Sequence, residues 1–195
     1  MGTNWRGTVF HGTSTDSAKS IVSQKRFNPS SGKEHDRWLG AGCYFFLDVV
    51  ISEPTVEIAK KWSIVEAYDS ITKSNKYEEG SVVSIEVESE EELVFDLRIP
   101  AFIQRFNLFR SLFEQKVKAE GNTKKFTDGA ICAELVHNHG IKLIINHFYI
   151  KLDGWARQKR IESNVPNCVV LCATLKGLSG LKFDTIKIVD TFAIS

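Results

Sequence analysis

Charge of one sign is what this chain lacks: 25 Lys and Arg residues stand against 24 Asp and Glu, a formal net charge of +1 over 195 residues. A global field that recruits nucleic acid or anionic membrane is thereby excluded, while a local basic patch is not. No apolar run is long enough to cross a bilayer, and the N-terminus carries no apolar signal core. The expectation is a cytoplasmic protein with no membrane partner. Cysteine is scarce: Cys43, Cys132, Cys168 and Cys172 form no C-x-x-C pair and have no His at zinc-finger spacing. Their apolar, strand-like surroundings read as sites for buried, reduced thiols. There is no G-x-x-x-x-G-K-[ST] phosphate loop and no G-x-S-x-G nucleophile elbow. Repeats, low-complexity tracts and interdomain linkers are missing too, so residues 1–195 read as one domain, long enough to bury a core.

What is present alternates between strand and helix signals. Residues 7–11 read as a strand, followed by a helix over Ser17–Gln24 with Thr15 and Asp16 as caps and Ala18, Ile21 and Val22 on one face. The polar, Pro- and Gly-containing stretch 26–37 reads as a loop, and residues 43–47 as the next strand. Pro54 opens a helix of about four turns through Val65. Ser81–Glu88 alternates Val83, Ile85 and Val87 with polar residues, the pattern of a half-buried strand, and Leu93–Leu97 continues the sheet after the acidic turn at 90–92. Ala101–Ala119 has Phe and Leu at helical spacing. Asp128–Val136, Leu143–Ile150, Asn167–Ala173 and Leu181–Val189 read as strands, the third a continuous apolar run typical of a central position. The sum is a single α+β domain with many strands and two or three helices.

Two segments stand out chemically. Val9-Phe10-His11-Gly12-Thr13 and Trp38-Leu39-Gly40-Ala41-Gly42-Cys43-Tyr44-Phe45-Phe46 each read as a strand with one polar residue among apolar ones and with adjacent glycines. Glycine lets another group approach the backbone closely. A cleft floored by His11 and Tyr44 suits a flat, polar ligand, because imidazole hydrogen-bonds hydroxyls and a phenol offers an apolar face with a polar tip. His137 and His139, with His147 further on, fall in a segment read as strand, where i and i+2 share a face and a metal pair is geometrically allowed, yet no third ligand accompanies them and no metal is expected. Arg157, Lys159 and Arg160 beside Trp155 form a basic, aromatic cluster of the kind that meets a phosphate backbone, and a nucleic-acid-binding protein is a further reading of the chain.

The order and spacing of His11-Gly12-Thr13, Ile21-Val22-Ser23-Gln24, Arg26, Pro29 and Gly40-Ala41-Gly42-Cys43-Tyr44-Phe45-Phe46 resemble the catalytic domain of poly(ADP-ribose) polymerase-like ADP-ribosyltransferases. The resemblance covers the first quarter of the chain. It implies an ADP-ribosyltransferase-like split β-sheet core with flanking helices, NAD+ as co-substrate without a metal, and transfer of ADP-ribose to a macromolecular acceptor, protein or nucleic acid. It further implies that His11 bonds the ribose on the adenosine side and that Tyr44 stacks on nicotinamide. Backbone groups of Gly12 would hold the carboxamide with Thr13 bonding nearby, Arg26 would face the pyrophosphate, and residues 27–37 would form the donor loop over NAD+. Ala59-Lys60-Lys61-Trp62 resembles the segment that supplies a second stacking aromatic, Trp62. The family's third motif residue is a Glu at the start of a late strand. By spacing to Val169-Val170-Leu171 its position is held by Asn167, which brings no charge to a developing oxocarbenium ion. Glu134 and Glu162 are the two carboxylates considered as substitutes. The change from Glu implies transfer of single units, or a catalytically inactive module that binds NAD+ or ADP-ribose. Small single-domain relatives of this kind include bacterial and phage toxins, for which a neutralising antitoxin partner is implied.

Overall fold

In the computed structural model, residues 3–30, 38–49, 53–119, 121 and 127–194 are described. Among them lie a large mixed sheet and several helices. The strands are β1 (Asn4–Ser14), β2 (Gly42–Leu47), the small hairpin β3 (Tyr68–Asp69) and β4 (Ser74–Asn75), β5 (Glu79–Glu90), β6 (Val94–Asp96), β7 (Leu143–Phe148), β8 (Cys168–Thr174) and β9 (Leu181–Ala193). The helices are α1 (Thr15–Gln24), α2 (Thr55–Ala67), α3 (Pro100–Ala119), α4 (Asp128–His139) and the short α5 (Gly154–Gln158).

The seven-stranded sheet runs β6-β7-β8-β2-β1-β5-β9, antiparallel except for the β6–β7 pair. Strand alternation gives it two apolar faces. Phe10, Phe46, Val82, Ile144, Val170 and Cys172 point to one, where α2, α3 and α4 cover them with Ile58, Ala59, Phe106, Ile131 and Leu135. Val9, Phe45, Leu47, Val83, Ile85 and Leu171 point to the other, against Ala18 and Ile21 of α1 and residues of β9. β8, the continuous apolar run, is buried along its length, as a strand covered on both faces must be.

The strand expected over Asp128–Val136 is instead helix α4. Thr127 caps it, its hydroxyl accepting from the Ala130 amide, and Gly140 ends it in the left-handed conformation at φ 68°. Ile131, Cys132 and Leu135 then face the core at helical spacing. This overturns the shared-face reading of His137 and His139, which lie far apart in angle on a helix; the His139 ring packs against Phe109, centroids 5.0 Å apart. Among the described residues no group of three or more His, Cys, Asp or Glu side chains is arranged to hold a metal ion. The four cysteines are free and buried. Burial pushes Cys43, Cys132 and Cys168 up to about 12 and Cys172 higher still, so they remain thiols at neutral pH. No helix among the described residues is long and apolar enough to cross a membrane.

Candidate functional site

The site is made by one ladder that opens. β1 pairs with β5 over eleven registered positions, from Asn4–Glu90 to Ser14–Gly80. On its other edge β1 registers with β2 at two positions only, Val9–Leu47 and Phe10–Phe46. Beyond them β2 continues with β8, through Tyr44–Cys172 and Gly42–Thr174. The two strands therefore fork immediately after Phe10 and Phe46, and His11 and Tyr44 stand at the fork.

A cleft of about 790 Å³ fills the fork, within the usual range for small-molecule sites. One wall is His11, Gly12 and Thr13 of β1, and the facing wall is Tyr44, Phe45 and Phe46 of β2. Ser17, Ile21 and Gln24 of α1, then Arg26 and Phe27, close it on one side. Trp62 and Glu66 of α2, with Lys76 and Tyr77, close it on the other. His11 and Tyr44 point to opposite faces of the sheet. The imidazole packs edge-on against Phe27 and Phe45, at 5.5 and 5.8 Å, on the α1 side. Tyr44 packs with the core beneath α2, as does Trp62.

The hydrogen bonds fix the chemistry available. His11 Nδ1 lies 2.9 Å from the Tyr44 carbonyl oxygen. A carbonyl only accepts, so Nδ1 carries the proton and donates, and Nε2 of the neutral ring is left as an acceptor for a hydroxyl. Burial lowers the His11 pKa, with the bond to the Tyr44 carbonyl pulling more weakly the other way, so the ring is neutral at pH 7. The Tyr44 hydroxyl donates to Gly40 O at 2.6 Å and accepts from the Leu39 amide at 3.0 Å. Burial, reinforced by the neighbouring Cys172 thiol, raises its pKa far above the ordinary phenol, so it is no proton donor in a reaction near neutrality. Its role is a ring held by a tethered hydroxyl. Gly40, at φ 85°, supplies the left-handed turn to which that hydroxyl is tied.

The glycines do not clear room for a ligand in the way expected. A Cβ on Gly12 would sit 1.9 Å from Ala59 O, so α2 backbone takes that space; a Cβ on Gly42 would meet Ala173 O of β8 at 2.4 Å. Close approach is real, but its beneficiary is the protein's own backbone.

Of the expected site residues, His11, Gly12, Thr13, Arg26, Tyr44 and Trp62 all line the cleft. Thr13 anchors α2 through its carbonyl, which accepts from Ser63 Oγ at 2.9 Å. Arg26 has no ion-pair partner among the described residues. Residues 31–37 of the expected donor loop lie outside the described residues. Trp62 belongs to an aromatic row, edge-on to Phe46 at 6.3 Å and to Trp38 at 6.1 Å, with Trp38 stacked on Phe148 at 5.0 Å.

The three candidates for the third position do not line the cleft. Asn167 is a clamp: its Oδ1 accepts from the Ile150 amide at 2.9 Å and its Nδ2 donates to Ile150 O at 2.8 Å. Glu134, expected on a strand, lies on helix α4, where Lys116 pairs with it at 3.6 Å and Asn138 donates to it at 3.2 Å. The Glu162 side chain is 89% exposed, 3.8 Å from Lys151. Glu66 is the carboxylate that lines the cleft among the described residues. It follows Trp62 by one helical turn, on the same side of α2. Burial raises the pKa of Tyr77, with the Glu66 charge adding to it, and the Tyr77 hydroxyl donates to Ser63 O at 2.7 Å. The i, i+4 spacing of Trp62 and Glu66 was the available sequence signal.

No family model matches the chain. Over 132 residues, 66% of its length, it is 31% identical to an uncharacterized protein of Methanocaldococcus jannaschii, and it spans about half (53%) of that relative.

Proposed function

We propose that this chain is an NAD+-dependent ADP-ribosyltransferase with the split-sheet architecture its first quarter resembles. The observation that carries the reading is the fork of β1 and β2 directly at His11 and Tyr44, where both residues line a cleft of about 790 Å³. The two ends of that cleft differ in chemistry as the two ends of NAD+ do. On the α1 side stand neutral His11, with Nε2 ready to accept from a ribose hydroxyl, and the cation of Arg26 for the pyrophosphate. On the α2 side Tyr44 and Trp62 offer aromatic surface to nicotinamide.

NAD+ supplies a C1′–N bond whose leaving group is neutral nicotinamide. In transfer, that bond breaks with its electron pair going to nicotinamide. A lone pair of the acceptor forms the new bond at C1′, and the acceptor's proton passes to solvent. The chain's task is to hold the two halves apart in a fixed pose and to stabilise positive charge at C1′. Glu66 takes that electrostatic role in this reading.

The test is NAD+ labelled in the adenylate phosphate, incubated with the protein and cell extract while free nicotinamide is measured. Label transfer that disappears in Tyr44→Ala supports the enzyme. A second reading is a module that binds NAD+ or ADP-ribose without turning it over. It is favoured by Asn167, a neutral side chain spent on backbone where the family motif has its Glu. Saturable NAD+ binding with no nicotinamide released selects that reading.

A further inference from the structure

The connection from β7 to β8, residues 149–167, starts next to a residue that packs on the cleft rim. Phe148, the last residue of β7, stacks on Trp38, which lines the cleft and is 41% exposed at its rim. Asn167 ties the two ends of the connection together, through both of its side-chain bonds to Ile150 and through its own amide, which donates to Phe148 O at 2.9 Å. The two ends of the connection are therefore held together next to Trp38 at the rim of the cleft.

This segment departs from the near-neutral balance of the chain. Between 151 and 160 it carries Lys151, Arg157, Lys159 and Arg160 against Asp153 alone. Asp153 is engaged in capping α5, its Oδ1 accepting from the Ala156 amide at 2.6 Å. Lys151 faces Glu162 at 3.8 Å. Arg157 spends its Nε on Lys151 O at 2.9 Å, and among the described residues Arg157, Lys159 and Arg160 have no ion-pair partner. Beside these cations the Trp155 indole is 64% exposed. Uncompensated cations have a use in contacting a run of phosphates, and an exposed indole has a use as a platform for an unpaired base.

We propose that the acceptor is a single-stranded nucleic acid, seated on Trp155, Arg157, Lys159 and Arg160 of the 149–167 connection so that a neighbouring base reaches the cleft. This rests on the ADP-ribosyltransferase reading for the identity of the reaction, not for the binding surface. A nitrogen or oxygen of the base attacks C1′ of NAD+, nicotinamide leaves with the electrons of the broken bond, and the proton lost from the base goes to solvent. Single strands fit better than duplex because a paired base offers Trp155 no free face and must first be extruded to meet the cleft.

The experiment uses the full chain and fluorescent 12-nucleotide DNA and RNA single strands, with the matching duplex and an extract of cell protein as alternatives. Anisotropy without NAD+ reads binding, and label transfer with nicotinamide assay reads chemistry. Trp155→Ala is expected to weaken single-strand binding about tenfold. The double variant Arg157→Gln/Arg160→Gln is expected to reduce the dependence of log Kd on log salt by about 1.4, the value for two phosphate contacts on a single strand. All three side chains are exposed, and unchanged thermal unfolding of the variants verifies that only the surface was altered. Wild-type transfer of label to the oligonucleotide completes the expected result. Oligonucleotide binding that is absent, or that the variants do not change, overturns the proposal whether or not nicotinamide is released. Normal oligonucleotide binding with label on protein, or a preference for duplex, overturns the acceptor assignment. Variant-sensitive binding with no nicotinamide released overturns the ADP-ribosyltransferase reading and upholds the binding surface.

Discussion

The two edges of β1 make an instructive comparison. Toward β5 the strand is registered at eleven positions without interruption; toward β2 it is registered at two. β5 alternates Ser and Glu with Val and Ile over twelve residues, and β2 is a six-residue apolar and aromatic strand. Length alone does not explain the difference, because β2 leaves residues 42–45 unregistered with β1. What separates them is where each strand's second neighbour pulls it. β5 follows β1 along its whole length, whereas β2 is registered with β8 from Phe46 back to Gly42 while β1 runs on beneath α2. Thus the continuous edge supplies rigidity and the forked edge supplies the cleft. At the fork, strand alternation sends an imidazole to one face of the sheet and a phenol to the other.

The largest effect is expected from removing the close contact that carries β1 away from β2. Gly12→Ala puts a methyl into Ala59 O and forces α2 off the strand, and we expect a loss of stability of about 3 kcal/mol by urea denaturation, the upper range for overpacking against backbone. Gly154→Ala, where nothing among the described residues lies within 4 Å, is the reference for an unobstructed glycine. A Gly12→Ala variant as stable as the parent would mean that α2 does not fix the path of β1.

Next come the residues at the fork. Within the proposed function, Glu66→Gln is expected to slow nicotinamide release about a hundredfold, in the range seen for one electrostatic group aimed at developing charge, with NAD+ affinity nearly unchanged. Weaker NAD+ binding at a normal rate would reassign Glu66 to binding. Tyr44→Phe keeps the ring and deletes the bonds to Gly40 O and the Leu39 amide, costing about 1–2 kcal/mol of stability. NAD+ affinity should be largely retained in Tyr44→Phe and lost in Tyr44→Ala; equal losses in both would mean that the hydroxyl, not the ring, matters.

The smallest effect is a pH dependence. The folded state lowers the His11 pKa below that of the unfolded chain, so the unfolded state binds more protons. The stability contributed by neutral His11 is complete above the ordinary imidazole pKa of about 6.5 and is lost as pH falls through the folded-state value. Between about pH 7.5 and 5.5 the parent should lose more stability than His11→Gln. Glu88, which bonds to Lys182, Arg6 and Asn4 hold down at about 2, titrates in a more acidic window and does not confuse the measurement.

How much of this was legible in the sequence depends on whether the signal was local. β5 and β8 were readable because alternation and an unbroken apolar run are properties of a short window. So were His11 and Tyr44, because each is a polar residue set in an apolar strand beside glycine. The fork itself was not, since it depends on β8 capturing β2, a pairing between residues more than 120 positions apart. Helix α4 was misread because Ala-Ile-Cys-Ala-Glu-Leu-Val fits either period over so few residues; the Thr127-Asp128 start and the Gly140 stop were the discriminating marks. That error also misassigned Glu134 to a strand. Asn167 was correctly located at the entrance to β8, yet its partner is the backbone of Ile150, and side-chain-to-backbone clamps leave no trace in spacing. The glycines signalled close approach without revealing that the approaching group is α2 or β8.

The most direct test of the account is a crystal structure of the protein with a nonhydrolysable NAD+ analogue. The dinucleotide should lie in the cleft at the fork, its nicotinamide against Tyr44 and Trp62 near Glu66, and its adenosine-side ribose hydroxyl donating to Nε2 of His11 with Arg26 at the pyrophosphate. An analogue bound elsewhere on the molecule, or a fork that closes into a continuous β1–β2 ladder when the ligand is present at saturating concentration, would contradict the account.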